Sequence, residues 1–411
     1  MFKKVLSLIL VAVMLCSLAV SFAACDGSTG DVKGMSASPL DIPAVKADFT
    51  VPENFKIGFI CLHDESSTYD LNFLKAVERY QTALNLKNEQ VIIKKDIPET
   101  EKCYEAAVDL VNQGCNIIFA NSFGHEPYIA QAAAAYPNVQ FCHATGVTAA
   151  SKGLDNFHNA FASIYQGRYL AGIAAGLKLN EMIKNNKITA EQAKIGYVGA
   201  YTYAEVISGY SSFYLGAKSV CPSVKMDVQF TGEWYDVTAE KNAAEALIAN
   251  KCVLISQHAD SMGAPGACEA AGVPNISYNG STYDACPNTF IVSSAINWTP
   301  YYMYITECYS KGEDINANWC GGIEEGSVVL TGINLDVAAD GTVDAINKAI
   351  KEFKDGTLKV FNTANFTVGG KTLTNADNAL ISDGYFHESE SISAPSFDLK
   401  IDGITRLNEE F

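Results

Sequence analysis

Residues 232–271 read GEWYDVTAEKNAAEALIANKCVLISQHADSMGAPGACEAA and carry the signals for a helix, a strand and a second helix in close succession. Alanine and leucine recur at helical spacing over residues 240–249, which predicts an amphipathic helix. Residues 253–255 form a short apolar run that is typical of a buried parallel strand. Pro265 and Gly266 open the next helix. This alternation predicts an α/β fold, in which helices cover both faces of a mostly parallel sheet.

A polar cluster, Gln257-His258-Ala259-Asp260-Ser261, follows the predicted strand. In open α/β sheets, ligands bind in the crevice outside the carboxyl ends of the strands. We therefore expect Trp234, Tyr235, His258 and Asp260 to lie where a small molecule is held. An aromatic plane beside a carboxylate suits a flat ligand that carries nitrogen.

Each of these residues also has a purely structural interpretation. Trp234 and Phe123 could be core aromatics, but both follow strands in loops, which favours a binding role. Asp260 could cap the next helix, although a carboxylate directly after a buried strand needs a partner, and a ligand would supply one. His258 could be a satisfied structural histidine, and Glu205 stands at a helix start where the helix dipole stabilises it.

The β-α alternation extends on both sides of this stretch. A first series has strands at about residues 55–62, 90–94, 116–120 and 139–143, and a second series has strands at about 194–198, 225–230, 253–255, 273–277 and 289–293. Two similar series predict two doubly wound lobes with right-handed crossovers and a ligand cleft between them. We assign residues 53–163 to lobe 1, completed by about 287–315, and residues 164–286 to lobe 2, completed by about 316–370.

Helices and the tail complete the assignment. Residues 165–183 predict a long helix with small residues on one face, which permits close packing. In the tail we expect a strand at 326–331, a helix at 340–355 with Thr342 as its N-cap, and a hairpin of 358–361 with 366–368 around Gly369-Gly370. Residues 371–411 form a C-terminal extension to which the sequence assigns no element.

The first residues have the pattern of a secretory signal peptide. Lys3-Lys4 precede an apolar run over 5–20, and Ser-Phe-Ala-Ala leads into Cys25. We predict a lipoprotein signal peptide over 1–24, a lipid on Cys25 and a flexible tether over 25–52, because that segment is rich in Gly, Ser, Ala and Asp. The alternative is an ordinary signal peptide with a chance cysteine. The lipoprotein interpretation places the chain on the extracellular face of a bacterial cell membrane.

Composition excludes several classes of function. The formal net charge of −17 argues against binding to nucleic acid or to anionic lipid through a basic face. Beyond Cys16 and Cys25, ten cysteines show no zinc-type spacing, so we expect small buried hydrophobes rather than metal ligands. The sequence has no GxSxG, P-loop or HExxH motif. We therefore predict that the protein is not an enzyme and uses neither a metal nor a cofactor.

Five stretches together resemble a known family: YQGRYLAGIAAGL (165–177), KIGYVGAYTYAEVISGYSSFYLGAKSV (194–220), GEWYDVTAEKNAAEAL (232–247), SQHADS (256–261) and INWTPYY (296–302). Over about residues 55–361 the chain resembles the basic membrane protein/PnrA-like substrate-binding lipoproteins of ABC importers. The resemblance implies a type I periplasmic-binding-protein fold, closure of two lobes about a hinge, and a purine nucleoside or adenine as ligand. It also implies ABC permease and ATPase subunits as partners.

The resemblance implies a set of ligand-binding residues: Asp64, Tyr69, Asn121, Ser122, Phe123, Glu205, Trp234, His258, Asp260 and Asn279. Two departures matter. Ser67 stands where the family has an aromatic residue, so one aromatic wall of the site is lost unless Tyr69 supplies it. Asn279-Gly280-Ser281 lacks the acid that usually binds ribose hydroxyls in the family. We therefore expect a purine base first and a nucleoside second. The alternatives are a ligand-sensing lipoprotein for a membrane signalling partner, or a binder of another small molecule.

Overall fold

The computed structural model describes residues 34–409. The predicted signal peptide, Cys25 and the first part of the predicted tether lie outside the described residues.

The first lobe is built on a six-stranded sheet in which every pairing is parallel. Its strands are β1 (Ile57–Ile60), β2 (Val91–Lys94), β3 (Ile117–Ala120), β4 (Gln140–Ala144), β5 (Phe157–Ala162) and β11 (Asn318–Gly321). They lie in the order β11-β5-β4-β3-β1-β2. The helices of this lobe are α1 (Thr68–Ala83), α2 (Glu101–Asn112), α3 (Glu126–Ala135), α4 (Ala149–Lys152) and α9 (Thr299–Lys311). Strands β1, β3 and β5 are buried along their whole length, as parallel strands covered on both faces must be.

The second lobe repeats this plan. Its strands are β6 (Lys194–Gly199), β7 (Lys225–Phe230), β8 (Leu254–His258), β9 (Asn275–Tyr278), β10 (Phe290–Ile296), β12 (Val328–Leu330) and β15 (Ile404–Arg406), in the order β12-β10-β9-β8-β6-β7-β15. The described helices of this lobe are α5 (Ile164–Lys184), α6 (Ala204–Val220), α7 (Val237–Ala249), α8 (Gly263–Ala271) and α10 (Thr342–Lys354). Strand β12 is antiparallel to β10. The order β7-β6-β8-β9-β10 matches β2-β1-β3-β4-β5, which confirms the prediction of two doubly wound lobes.

The chain crosses between the lobes at three places in the described range: from β5 into α5, from β10 into α9, and from β11 into β12. The last two crossings differ from the predicted boundaries. Strand β10 falls in the segment that we assigned to lobe 1, but it pairs with β9 and β12 in the second sheet. Strand β11 falls in the segment assigned to lobe 2, but it pairs with β5 in the first sheet. The physical reason is pairing: an interior strand needs a neighbour on each side, and the linear sequence does not show which sheet supplies them.

Residues 34–52 lie on the folded body, which corrects the prediction of a flexible tether for this part of the segment. Ser36 N donates to Ile333 O over 2.8 Å, and Ser36 Oγ accepts from Ile333 N over 3.0 Å. Ser38 Oγ donates to Leu330 O over 2.6 Å. These bonds place the segment beside the last lobe crossing, where it satisfies backbone groups at the edge of the second sheet.

The C-terminal extension is also folded onto the second lobe. Strand β15 adds to the sheet beside β7, and strands β13 (Ile381–Ser382) and β14 (Tyr385–Phe386) form a small hairpin. Phe397 stacks on Phe361 with ring centroids 4.0 Å apart. The buried carboxylate of Glu388 accepts bonds from Ser208 Oγ over 2.5 Å and from Phe397 N over 2.8 Å. Tertiary contacts therefore hold a segment whose local sequence predicts no element.

Two further predictions for the tail are wrong. Residues 358–361 and 366–368 do not form a hairpin; Gly369-Gly370 make a tight turn, but it is closed by one isolated bridge between Val368 and Lys371. Thr342 is the first residue of α10 rather than its N-cap, and its hydroxyl donates to Ala339 O over 2.6 Å. Within residues 34–409, none of the helices combines the length and the apolar character needed to cross a bilayer.

Helices α5 and α6 pack against each other at their backbones, as the small face of α5 predicts. A Cβ atom added at Gly172 would lie 2.1 Å from Phe213 O, and one at Gly216 would lie 2.0 Å from Tyr169 O. Because the obstacle is backbone in both cases, no side-chain rotation can relieve the clash. The glycines thus set the distance between the two helices.

We predict that Gly172→Ala lowers the free energy of unfolding by about 1–3 kcal/mol, the usual cost of overpacking, although alanine is the better helix former. The matched control is Gly266→Ala in α8, where an added Cβ meets nothing within 4 Å. That change should raise the free energy of unfolding by about 0.5–1 kcal/mol through helix propensity. Urea denaturation measures both, and equal effects of the two substitutions would contradict close backbone packing.

Candidate functional site

A cavity lies between the two lobes, outside the carboxyl ends of both sheets. It has about 330 Å³ of empty space, part of which is open to solvent. Its lining residues are Leu62, Tyr69, Ser122, Phe123 and Thr145 from lobe 1, and Glu205, Trp234, His258, Asp260 and Tyr278 from lobe 2. Seven of the predicted ligand-binding residues are therefore brought together here: Tyr69, Ser122, Phe123, Glu205, Trp234, His258 and Asp260.

Asp260 is held in place through its backbone. Its N–H donates to Trp234 O over 3.0 Å, which links the loop after β8 to the loop after β7. The next residue, Ser261, donates its N–H to Glu240 over 3.1 Å. Glu240 sits in the first turn of α7 with no exposed surface, and it also accepts from Asp236 N over 3.3 Å. The carboxylate of Asp260 is left to face the cavity.

Burial makes the acidic groups of this region hard to ionise. The pKa of Asp260 is raised well above its ordinary value, mainly by desolvation and further by the negative charges of Glu240, Asp70 and Glu205. Desolvation also raises the pKa of Glu240 to about 7. A ligand that donates N–H bonds to Asp260 would offset the cost of the buried charge.

His258 ends strand β8 and stands between a carboxylate and an aromatic ring. Its Nε2 lies 3.5 Å from Glu205 Oε1, and its ring centroid lies 4.4 Å from that of Tyr278. Desolvation lowers the pKa of His258, and Glu205 only partly opposes this, so the imidazole is neutral at pH 7. A Cβ added at Gly209 would lie 2.5 Å from His258 Nδ1. Helix α6 can therefore pass this ring only because residue 209 is glycine.

The lobe-1 wall consists of side chains that are mostly committed to other partners. Tyr69 donates its hydroxyl to Asn121 O over 2.7 Å and presents its ring to the cavity. Ser122 Oγ donates to Glu99 Oε1 over 2.5 Å. Phe123 begins a short 3-10 turn directly after β3. Tyr69 thus supplies the aromatic wall that Ser67 does not.

Four aromatic side chains, two of which line the cavity, form a cluster beside it. Phe123 of lobe 1 stacks on Tyr203 of lobe 2 with centroids 4.9 Å apart, and Tyr203 stacks on Tyr201 with centroids 5.0 Å apart. Trp234 meets Tyr201 edge to face at 5.0 Å. Offset-stacked and edge-to-face pairs are the favourable arrangements of aromatic rings. The Phe123–Tyr203 contact therefore joins the two lobes beside the cavity.

Hydrogen bonds also join the lobes directly at the cavity. Thr68 donates its N–H and its hydroxyl to Asp260 O over 3.0 and 3.2 Å. Asn72 Nδ2 donates to Asn279 Oδ1 over 3.0 Å. The structure is thus a closed arrangement in which residues of α1 reach the loops after β8 and β9.

Three predicted site residues do not line the cavity. Asp64 turns its carboxylate onto Ser66 N and Oγ over 2.9 and 2.6 Å, which closes a local turn. Asn121 uses its side chain to hold Leu62 N and Asp70 Oδ1. These two predictions rested on position in a motif, and both side chains serve the loop rather than the cavity.

Asn279 is the third, and its place is at the edge of the cavity. It has a left-handed backbone with φ of 63°, and it contacts Asn72 across the lobe boundary. Its side chain also stands against the carboxylate of Asp260 and opposes the rise in the pKa of that acid. Asn279 therefore brings an amide, and no acid, to this edge of the cavity and bonds the opposite lobe with it.

Sequence reasoning missed four contributors: Leu62, Thr145, Tyr203 and Tyr278. Tyr203 could have been found, because Tyr201-Thr202-Tyr203 follows strand β6 as Trp234 follows β7. Tyr278 is the last residue of β9 and follows the same rule. Leu62 and Thr145 carry no comparable signal. Among residues 34–409 we find no group of three His, Cys, Asp or Glu side chains placed to hold a metal ion.

The ten described cysteines are all free, and nine of them are buried. Desolvation raises the thiol pKa of Cys142, Cys268 and Cys320 to about 12. They are inert packing residues, as their place in apolar runs predicts.

Two lobes of matching strand order, closed around a small polar and aromatic cavity, define a two-lobed solute-binding protein. The chain belongs to the family described as ABC transporter substrate-binding protein PnrA-like, whose model matches residues 60–362. A substrate-binding protein of an ABC transporter binds a small molecule on the outer side of the membrane and works with a permease and an ATPase subunit.

Three comparisons illustrate the relationship. The chain is 29% identical to a purine-binding protein of Brucella abortus strain 2308 over 68% of this chain and 75% of that protein. It is 28% identical to a protein of Haloferax volcanii named as a candidate glucose-binding component of an ABC transporter, over 74% and 71%. The solved structure of an ABC transporter solute-binding protein from Conexibacter woesei superposes with a TM-score of 0.59 at 19% identity, covering 74% of this chain and 98% of the other. This last likeness confirms the fold.

We predict that Asp260→Asn stabilises the protein without ligand at neutral pH. An acid whose pKa is raised by folding destabilises the folded state once the pH rises above its unfolded value, about 3.9, and the penalty grows until the folded pKa is passed. The gain in melting temperature should therefore be absent near pH 4 and should increase as the pH rises from there.

Differential scanning fluorimetry across pH measures this profile. Asp398→Asn, at an exposed carboxylate, is the control and should leave the melting temperature within error at every pH. If Asp260→Asn and the wild type had the same melting temperature at pH 8, the buried charge of Asp260 would not destabilise the protein and the prediction would be wrong.

Proposed function

We propose that this protein captures a purine base, with a purine nucleoside as the second candidate ligand, and delivers it to an ABC importer. The proposal rests on one observation: aromatic rings and two carboxylates, Glu205 and Asp260, line the same cavity between the lobes. A purine is flat and aromatic, and it carries N–H donors and ring-nitrogen acceptors around its edge. Rings on its faces and hydrogen-bonding groups around its rim are what such a molecule needs.

Charge favours a nitrogen-bearing ligand over an acidic one. Both carboxylates come from lobe 2, and the described residues that line the cavity include no lysine or arginine. An anionic ligand would meet repulsion there, whereas exocyclic amines and ring N–H groups donate to carboxylates. Neutral His258 can donate from one ring nitrogen and accept at the other, which suits the alternating edge of a base.

The lobe boundary favours a base over a nucleoside. The Asn72–Asn279 bond joins the lobes at the edge of the cavity, and Asn279-Gly280-Ser281 offers no acid to bind ribose hydroxyls. We therefore rank the base first. Binding without chemistry is part of the proposal, because the family is one of substrate-binding proteins.

A membrane sensor is the alternative partner, since closure of two lobes on a ligand can drive signalling as well as transport. Membership of the ABC transporter family favours the importer. We further propose that the mature chain begins at a lipidated Cys25 and is held at the extracellular face of the cell membrane.

We expect isothermal titration to give the tightest binding with adenine or guanine, weaker binding with adenosine or guanosine, and none with a panel of monosaccharides. Asp260→Ala should weaken purine binding by about 1.5–3 kcal/mol, the scale of a hydrogen bond to a charged group. Trp234→Ala should cost a similar amount through lost burial and aromatic contact.

Asp64→Ala is the matched control, because this carboxylate lies on a cleft-side loop but bonds Ser66 instead of facing the cavity. It should leave affinity unchanged. Binding of sugars alone, or purine affinity that survives both Asp260→Ala and Trp234→Ala, would refute the site assignment. Turnover of the bound purine at an enzyme-like rate would refute the binding-only role.

The lipid anchor is tested separately. Cys25→Ala should release the protein from the membrane fraction, because the acylated residue is lost. Cys16→Ala lies within the apolar run of the signal peptide and should leave the protein membrane-bound. Cell fractionation with immunoblotting measures both, and membrane retention of the Cys25 variant would indicate another anchor.

A further inference from the structure

Thr145 has an unusual backbone at the wall of the cavity. It follows β4 directly, and its φ of 69° places it in the left-handed region. A β-branched residue in that region is a genuine outlier and persists only where its surroundings impose it. Such residues concentrate at functional sites.

The surroundings of Thr145 do impose this conformation. Its N–H donates to Ala160 O over 3.1 Å. Beyond it, Glu126 Oε1 accepts from Val147 N over 2.9 Å and from Thr148 N over 2.8 Å. Glu126 is itself buried. A carboxylate inside lobe 1 thus fixes the path of residues 145–148.

Because residue 146 is a glycine, the chain can pass close to the buried Glu126 carboxylate and the side chains around it. A Cβ atom there would lie 2.1 Å from Asn159 Nδ2 and 2.5 Å from both Glu126 Oε1 and His143 Nδ1. The loop therefore cannot move toward the lobe interior to relax Thr145. The strained residue stays turned toward the cavity, which it lines.

The hydroxyl of Thr145 is buried and has no hydrogen-bond partner. The other two polar side chains of lobe 1 at the cavity are already committed, Tyr69 to Asn121 O and Ser122 to Glu99. Among the described lining residues, lobe 1 therefore offers one uncommitted side-chain polar atom, Thr145 Oγ1. Lobe 2 offers Glu205, His258 and Asp260.

We propose that Thr145 is a specificity-determining residue, whose hydroxyl hydrogen-bonds the edge of the ligand that lobe 2 leaves free. The ligand then bridges the lobes: acids of lobe 2 hold one edge, and Thr145 of lobe 1 reads another when the cleft closes. The proposal rests on the proposed function for the class of ligand, a small ring with hydrogen-bonding groups on several edges.

Two variants at this position separate the hydroxyl from the shape of the side chain. Thr145→Val removes the hydroxyl and keeps the β-branched form, so the backbone strain stays similar. Thr145→Ser keeps the hydroxyl. By isothermal titration we expect Thr145→Val to bind the preferred purine about five- to ten-fold more weakly, as loss of one neutral hydrogen bond implies, and Thr145→Ser to stay within about two-fold of the wild type.

The order of ligand affinities distinguishes recognition of the ligand by Thr145 from a purely structural role of this residue. Thr145→Val should lose affinity only for bases that carry the group contacted by the Thr145 hydroxyl. Isothermal titration with unsubstituted purine, adenine, hypoxanthine and guanine measures this. Thr148→Val is the matched control in the same loop, because the Thr148 hydroxyl bonds Glu126 over 2.8 Å and does not line the cavity. It should lower the melting temperature while leaving the order of ligand affinities unchanged.

Unchanged affinity in Thr145→Val would overturn the proposal. An equal loss for all four bases, matched by Thr148→Val, would also overturn it, since that is the signature of a distorted loop. If the wild type binds no purine but binds a monosaccharide from the same panel, the proposed function fails. The affinities of Thr145→Val and Thr145→Ser for that sugar then still decide the role of Thr145.

Discussion

The backbone of Asp260 is bonded on both sides of the cleft while its carboxylate stands in the cavity. Its N–H is held by Trp234 O of its own lobe, and its carbonyl oxygen accepts two bonds from Thr68 of the other lobe. One residue therefore links lobe closure to the chemistry of the site. When the lobes separate, the bonds from Thr68 are lost and the carboxylate regains water. When they close, the charge is desolvated and needs a partner.

The two carboxylates that line the cavity, Asp260 and Glu205, both belong to lobe 2. Facing carboxylates from opposite lobes would repel each other as the cleft closed, and the repulsion would grow as water left. Asp260, Glu205 and the supporting Glu240 share lobe 2, whereas Asp70 is a buried carboxylate of lobe 1 that also raises the pKa of Asp260. The lobe-1 residues that line the cavity itself, Leu62, Tyr69, Ser122, Phe123 and Thr145, carry no charge.

The parts of this arrangement that the sequence predicts are those with a local signal. Strand β8 and the polar residues at its end were predictable because a short apolar run followed by Gln-His-Ala-Asp specifies both the strand and its functional end. Trp234 and Phe123 followed from the same rule. Asp64 and Asn121 did not, because the direction of a loop side chain depends on tertiary partners such as Asp70, which no spacing shows.

Longer-range structure was harder for the same reason. Strands β5 and β11 were missed, and β10 was assigned to the wrong lobe, because their pairing joins segments far apart in the chain. The C-terminal extension depends on contacts such as Glu388 with Ser208, about which the local composition is silent. Thr145 is the sharpest case: its left-handed backbone is imposed by Glu126 and Ala160, and nothing in its own sequence predicts it.

A buried cation, Arg168, lies near the cavity and influences the protonation of His258. Arg168 has no exposed surface, and its guanidinium donates to Ser256 Oγ over 2.7 Å and to Tyr197 OH over 3.1 Å. It lies 5.2 Å from the ring of Tyr278, and it lowers the pKa of His258 in addition to the larger effect of burial. Arg168 therefore helps to keep the imidazole neutral beside Glu205. A neutral imidazole retains both a donor and an acceptor, whereas an imidazolium would offer donors alone.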